Sequence, residues 1–531
     1  MRLRQEEEIL DINFRSTVIK EIEAPENQAR KDSMKKRYDI FKDDTKKYVL
    51  EMMENESSDK TVVAEVINRA ANISFARKII DKKAQVYKDG VTREVLEDET
   101  SQAQLDSIVD ITNFNSTMKK TNKYAELFKN ALVQVMPYTD AATGKYKYKS
   151  RVLQPYLYDV IEDADNPEDA RVYIFSYMSN DNGPGYANVG ESGYHDGDNK
   201  QSFRNGNGVN EIIADSPNDA GGEHTEYVWW SNKFHFTTDD KGNILPGKQD
   251  EKLLNPIGML PFCNFSMDQD GNFWAVGGED IIDGAILLDI LLTDLFYIAR
   301  YQGMGIGYLF GKGVPQNMKV GPSAFITLDM EDGDPTPQMG FATSSPPIQD
   351  HLSMIETYVA YLLSSNNLEI GSVQSKLSAT GTSSGIQEMV KRAENMDDIQ
   401  DQREMYRDGE PCLFRIMAKW HNLYLGKNLL SEPLASVGKL NEDMNIRLRF
   451  ADPQPFITEK ERLEIIEKRL AIGLDSMIDA VKRDNPDISE EEAKEKIRVA
   501  METKLKESSE RLKQFGNQEV EEEDDDMETE E

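Results

Sequence analysis

The pattern from Asp280 to Tyr301 constrains the fold more than any other stretch. Ile281, Ile282, Ile286, Leu287, Leu288, Leu291, Leu292, Leu295 and Phe296 recur there at helical spacings and make it the least polar helix in the chain. A helix with so wide an apolar face is stable in water only where something covers it. The Gly- and Pro-punctuated segment that follows, "GMGIGYLFGKGVPQNMKVGPSAFITLDMEDGDPTP", has the signature of small strands and turns. A second helical pattern then spans Ile348 to Leu368, and after it comes "SVQSKLSATGTSSGIQEMVKRAEN", in which Lys376 is the one charged residue between Gly371 and Ile386. Connections between helices in compact domains are usually only a few residues long, so this hydroxyl-rich stretch is longer than a plain link requires. It leads into a long helical pattern from Ser383 to Leu425. Pro411 is expected to kink or interrupt that helix, because proline removes a donor and crowds the preceding turn.

At 531 residues the chain exceeds what one hydrophobic core usually serves, so two or more packed regions are expected. A hydrophobic fraction of 38%, a charged fraction of 30% and a mean hydropathy of -0.61 fit real cores with much solvated helix surface. The net charge of -34 argues against a protein that grips nucleic acid by neutralising phosphates, which takes clusters of Lys and Arg. Part of that charge is the tail "EVEEEDDDMETEE" from Glu519 to Glu531, a self-repelling run whose default state is disorder. Cys263 and Cys412 lie far apart without metal-ligand spacing. Neither a disulfide framework nor a zinc site is indicated, and both are expected to be ordinary buried thiols. The opening "MRLRQEEEILDINF" lacks the apolar core of a signal peptide, and no apolar stretch approaches the roughly 20 residues of a membrane span, so cytoplasmic synthesis without a membrane partner is expected.

Upstream the pattern is helical from residue 16 to 88, with Gly90 as its stop, and helical again from Ser101 to Met136. Alternation in "YKYKSRVLQPYLYDVI" and "ARVYIFSYM" predicts strands, and "EYVWWSNKFHFTTDDKGNILPG" predicts a hairpin turning at Lys241-Gly242. Between them, residues 179–222 are rich in Gly, Asn and Asp and predict a long exposed loop. "MNIRLRFADPQP" predicts a strand, followed by two helices whose starts carry capping-box spacing at Thr458 with Glu461 and Ser489 with Glu492. The expected class is α+β, mainly helical.

Chemistry-bearing motifs are weak throughout. "GNILPGKQ" has the Gly-x4-Gly-Lys skeleton of a phosphate loop at Gly242, Gly247 and Lys248, but Gln249 stands where magnesium needs a hydroxyl and no helix pattern follows. "GMGIGYLFG" follows a helix where a dinucleotide loop needs a strand, and "DQDGNF" lacks the remaining ligands of a calcium loop. The histidines His195, His224, His235, His351 and His421 show neither HExxH nor His-x-His spacing, and Trp229, Trp230 and Trp420 suit core packing. No catalytic, cofactor-binding or metal-ligating residue stands out, and no cofactor is expected.

Taken in order, the series is specific. The elements are an apolar helix after "GGED", a short β-like segment, a second helix, the Ser/Thr/Gly loop, "TSSGIQEMVKRAEN" and a long helix. "FARKIIDKKAQVYKDGVTR" precedes it and "RLRFADPQPFITEKERLEIIEKRLAIGLDSMIDAVKRDNPDISEEEAKEKIRVAMETK" closes it. This order resembles the core of a tailed-bacteriophage portal protein over roughly residues 60 to 510.

The resemblance implies a fold with wing, stem, clip and crown regions. The wing would occupy 1–278, stem helices 279–303 and 347–370 would flank a clip over 304–346, and a tunnel loop would span 371–384. A long kinked helix and return strand of the wing would follow over 385–450, then a helical crown over 451–515 and an acidic disordered tail over 516–531. Gln374, Lys376, Ser378, Thr380, Gly381, Thr382 and Ser383 would face the channel, where a mobile, weakly charged loop touches a moving duplex without holding it. The family implies a homo-oligomeric ring of about twelve subunits at one capsid vertex of the virion, assembled in the host cytoplasm. Double-stranded DNA passes through the ring with transient, non-specific contacts during packaging and ejection. The implied partners are the terminase large subunit, the major capsid and scaffolding proteins, and the head-tail connector proteins. Two rivals stay open: another structural adaptor ring of the head-tail junction and, behind it, a terminase ATPase, for which Gln249 breaks the only candidate loop. A helical scaffold outside any virus leaves the order of elements unexplained.

Overall fold

The computed structural model describes residues 1–56, 70–96, 99–140, 143–180, 223–246, 251–267, 269–301, 306–310, 338–342, 348–368, 393–451, 459–484 and 491–503. These form a mixed α+β protein in two compact units, one holding the described residues through Ala451 and the other the helices after it.

The first unit opens with a short strand, β1 (Arg2–Leu3), a 3-10 turn (Glu6–Leu10) and four helices: α1 (Ile12–Ile22), α2 (Pro25–Phe41), α3 (Lys46–Glu56) and α4 (Phe75–Lys83). The Asp11 carboxylate accepts the Asn13 N–H at the start of α1, and Pro25 occupies the first position of α2, where its missing donor is harmless. The expected helix stop at Gly90 is misplaced. α4 ends at Lys83, and Gly90, at φ +99, instead launches strand β2 (Val91–Val95).

α5 (Glu99–Ile111) and α6 (Phe114–Phe128) follow, and here the expectation of helix as far as Met136 fails. Lys129 takes a left-handed φ of 65 at the end of α6, and the chain becomes β3 (Asn130–Thr139). β3 is the middle strand of a sheet ordered β4-β3-β9, with β4 at Tyr146–Leu153 and β9 at Phe262–Ser266. Ala131, Leu132, Val133, Gln134 and Val135 are all buried. A strand covered on both faces loses the polar-apolar alternation that would tell it from a helix.

The larger sheet has the order β1-β5-β6-β7-β8, adding β5 (Asp159–Asp163), β6 (Ala170–Asn180), β7 (Glu223–Trp230) and β8 (His235–Thr238). Its alternation divides two cores. Val172, Ile174, Tyr227, Trp229 and Phe236 face Leu3, Ile9, Val18, Ile19 and Ile22 of the N-terminal segment. Tyr173, Phe175, Val228 and Trp230 face the main core. The hairpin of β7 and β8 is present, but it turns at Ser231–Phe234, where the Ser231 N–H donates to the Phe234 carbonyl at 2.8 Å. Lys241-Gly242 belongs to a second turn, in which the Asp239 carboxylate accepts the N–H groups of Lys241 and Asn243 and brings Ile244 against Thr238. The Asp-Asp-Lys-Gly stretch has the stronger turn chemistry, yet burial of Trp229 opposite Phe236 fixes the register one turn earlier.

α7 (Glu279–Tyr301) and α8 (Ile348–Ser364) pack antiparallel, Gly284 lying against Leu362 and Asp280 receiving the Asn366 amide at 2.8 Å. Between them in sequence, β10 (Ile306–Phe310) and β11 (Gln338–Ala342) pair antiparallel. α9 (Ala393–Gly426) then runs 34 residues through Pro411 without interruption. Tyr406 and Glu410 before the proline and Leu413, Phe414, Ile416, Met417 and Trp420 after it are all buried, so packing on both sides holds the helix through one missing hydrogen bond. β12 (Ile446–Phe450) pairs antiparallel with β2.

The second unit has α10 (Glu459–Ala471), α11 (Met477–Asp484) and a further helix over 491–503, three helices where two are expected. Ser476 and Asp479 cap α11 reciprocally, the Ser476 N–H donating to the carboxylate at 3.0 Å and the Asp479 N–H to the hydroxyl at 3.2 Å. Thr458 and Ser489 lie outside the described residues. No helix among the described residues is long and apolar enough to cross a membrane.

Candidate functional site

The residues assigned to the channel loop, Gln374, Lys376, Ser378, Thr380, Gly381, Thr382 and Ser383, lie outside the described residues, as does the whole of 369–392. Most of the Gly/Asn/Asp-rich stretch (181–222), most of residues 304–346, where a clip is expected, and the acidic tail do too. The end of α8 through Leu368, just before residues 369–392 in sequence, is described, and a polar clamp fixes it.

α8 ends on asparagine chemistry. Asn367 adopts a left-handed φ of 56, and the Leu368 N–H donates back to the Leu363 carbonyl at 2.9 Å, closing the helix with a six-to-one bond. The neighbouring side chains reach two other helices, and a lysine from a third reaches in to meet them. Asn366 donates to Asp280 of α7, and Asn367 donates to both carboxylate oxygens of Asp398 of α9, at 3.0 and 3.2 Å. Lys83, buried at the end of α4, donates to Asp398 at 3.2 Å and to the Asn366 carbonyl at 3.4 Å. Nearby, burial together with Asp280 and Asp283 pushes the Tyr358 hydroxyl above its ordinary range. The clamp thus joins α4, α7, α8 and the first turns of α9. Its pairing of amides, carboxylates and one buried ammonium suits holding a segment in place.

This clamp was missed from sequence. Its signal was the Asn366-Asn367 pair at a helix end, since asparagine tolerates the left-handed cap better than other non-glycine residues. Lys83, Asp280 and Asp398 carried no signal among so many charged residues.

A second feature is the apolar face left on the α7/α8 pair. Phe296 is 57% and Tyr361 73% exposed, with Leu287, Tyr297 and Met354 also open to solvent. On α8, Met354 and Tyr361 stand seven residues apart and form one stripe.

The weaker motifs resolve into structure. Gly242 sits in the Asp239–Asn243 turn at φ +84 against Arg15, while Gly247, Lys248 and Gln249 lie outside the described residues. Within "GMGIGYLFG", residues 306–310 are strand β10, and Gly271 of "DQDGNF" takes φ +64 in a turn. Trp229, Trp230 and Trp420 are buried in the cores. His421 is fully buried, its Nε2 bonded to the Gly438 carbonyl at 2.7 Å and its Nδ1 to the Tyr148 hydroxyl at 3.1 Å, so it is a satisfied core histidine. His235 stacks on Trp230, with ring centroids 3.6 Å apart. Cys263 is buried and Cys412 half-buried, both as free thiols. Among the described residues no group of three or more His, Cys, Asp or Glu is placed to hold a metal ion.

No protein-family model matches the chain, and no curated protein matches it.

Proposed function

We propose that this chain is the portal protein of a tailed bacteriophage, a ring at one capsid vertex through which double-stranded DNA is packaged and ejected. The observation that carries this reading is the excursion α7–β10–β11–α8. An apolar helix leaves the core, a strand pair follows, and a second helix returns antiparallel along the first with its apolar stripe uncovered. An obligate cyclic interface requires such surplus apolar surface on each subunit. On this reading α7 and α8 are the stem, and β10 and β11 lie in the clip that meets the terminase large subunit and later the connector proteins. The clamp at Asn366, Asn367, Asp398 and Lys83 would aim the tunnel loop. The second unit would be the crown, and its exposed Leu463, Ile472, Leu474, Met477, Val499 and Met501 fit further contacts between copies.

The test is the mass of the purified full chain in solution, with negative-stain images of the same peak. Closed rings of about twelve subunits around a channel are the expected result. A monomer that hydrolyses ATP would overturn the proposal in favour of a packaging motor.

A further inference from the structure

The clamp at the end of α8 brings together the three groups that an amide exchange needs. Lys83 Nζ lies 3.2 Å from Asp398 Oδ2, and Asn367 Nδ2 donates to that same oxygen at 3.2 Å and to Oδ1 at 3.0 Å. An amine and a carboxamide thus share one carboxylate. An amine that reaches a carboxamide carbon can displace the amide nitrogen, provided one group takes a proton from the amine and returns it to the leaving nitrogen. Asp398 touches both of those nitrogens.

The surroundings hold the three groups in place. Lys83 is buried, and its ammonium also donates to the Asn366 carbonyl at 3.4 Å. The Lys83 side chain is 11% exposed and that of Asp398 28%, and desolvation of an ion pair disfavours both charges, which lowers the cost of passing the proton from ammonium to carboxylate. The Asn367 N–H donates to the Ser364 carbonyl at 3.2 Å, so its backbone is fixed in the left-handed cap. Attack takes an approach of about 3–3.5 Å between amine and amide carbon. The flexible four-carbon stem of lysine lets the amine swing from the carboxylate to the neighbouring amide. Asp159 has a similar set, accepting from Lys31 at 2.6 Å and from Asn27 at 2.7 Å, but on different oxygens. Arg30 also donates to Asp159 at 2.9 Å and favours its anion, so it is a poor proton carrier. Among the described residues no arginine contacts Asp398.

We propose that Lys83 and Asn367 join in an isopeptide bond, with Asp398 carrying the proton between them. The Lys83 ammonium gives a proton to Asp398 Oδ2, and the freed lone pair forms a bond to Asn367 Cγ. The carboxyl proton passes to Asn367 Nδ2, the Cγ–Nδ2 bond breaks, and a second proton from Nζ follows the departing nitrogen. The nitrogen leaves as ammonium, Asp398 is restored as a carboxylate, and nothing is oxidised or reduced. The product ties the end of α4 to the cap of α8 covalently. It needs residues of the first unit alone and does not depend on the portal reading.

The experiment holds the purified full chain folded at neutral pH and follows its intact mass, then digests it with trypsin. The chain should become one ammonia lighter than its sequence, and digestion should yield a branched peptide joining Lys83 to Asn367. Lys83→Arg keeps a cation beside Asp398 but has no amine, and should retain the full sequence mass and give only linear peptides. Asp398→Asn should likewise stay unlinked. Wild-type protein of full sequence mass, ammonia loss without the branched peptide (the signature of a cyclised asparagine), or linkage undiminished in Asp398→Asn would each overturn the proposal. The wild-type peptides decide whether the bond forms even if a variant fails to fold.

Discussion

Gly409 and Glu410 are neighbours on α9, and each is fixed by what lies across from it. An alanine at Gly409 would drive its methyl into Phe265, a fully buried ring stacked on Tyr406. Overpacking of that kind costs about 1–3 kcal/mol, against which alanine returns up to about 1 kcal/mol of helix propensity. Gly284→Ala meets the Leu362 Cδ2 and Cδ1 methyls at 2.7 and 3.1 Å and the Tyr358 hydroxyl at 3.2 Å, all far ends of side chains able to shift. Urea unfolding should therefore show Gly409→Ala the more destabilised of the two, and equal midpoints would contradict the clash. Glu410 is fully buried and accepts from Arg93 Nε at 2.6 Å, Arg93 Nη2 at 3.1 Å and the Tyr87 hydroxyl at 2.6 Å. Glu410→Gln keeps the shape but leaves the Arg93 charge buried without a counter-charge, an expected loss of about 3 kcal/mol or more. A loss below about 1 kcal/mol would mean that Arg93 finds other compensation.

Titration at this scale pulls stability in opposite senses. Burial pushes His235 down to about 4, against about 6.5 when unfolded, so the unfolded chain binds more protons between these values. That contribution is complete above the unfolded value and is lost as pH falls toward about 4. Burial lowers His421 in the same direction. Asp289, fully buried on α7 and accepting the Ile73 N–H at 2.9 Å, is pushed by burial up to about 6. Here the folded chain binds the extra proton, and the stabilisation is present below the ordinary carboxyl range and lost as pH rises through about 6. Asp289→Asn keeps an oxygen for Ile73 and cannot ionise. Its urea midpoint should gain on wild type as pH climbs through that window, and a difference independent of pH would show that Asp289 does not titrate there.

At the scale of elements, the uncovered face of α7 and α8 is the strongest feature. If it seals neighbouring copies, Tyr361→Glu and Phe296→Glu should shift the sedimentation of the purified protein toward monomer while leaving its far-ultraviolet circular dichroism unchanged. Rings that survive both substitutions would place the interface elsewhere. The two helices were legible because their apolar periodicity is long and bounded by glycine and proline, and β4, β5, β6 and β12 because alternation survives where the two faces differ. β3 was misread because both of its faces are buried. The β7/β8 turn was misplaced because register there follows the burial of Trp229 and Phe236 more than local turn chemistry. Pro411 is expected to kink or interrupt α9 because its cost is local, and the helix continues through it because the packing that holds it on both sides comes from residues distant in sequence. The clamp failed for the same reason, since Lys83, Asp280, Asn366 and Asp398 meet only in three dimensions.

At the scale of the molecule, charge sets what the proposed channel would do with DNA. Removing the ten acidic residues of Glu519–Glu531 would leave -24 of the -34, so the acidity belongs to the body as well as to the tail. A protein that neutralises phosphates shows affinity falling steeply with salt, by roughly 0.9 log units per phosphate for each tenfold change. A channel that passes a duplex should neutralise almost none, because each such contact would have to be broken as the DNA advances. Fluorescence anisotropy with a labelled duplex should accordingly give weak binding without sequence preference and a nearly flat salt dependence, both for the full chain and for a variant ending at Gln518. If the truncated protein instead bound tightly with a steep salt slope, the tail would be masking a basic surface on the body, and a channel that lets DNA slide would no longer describe this protein.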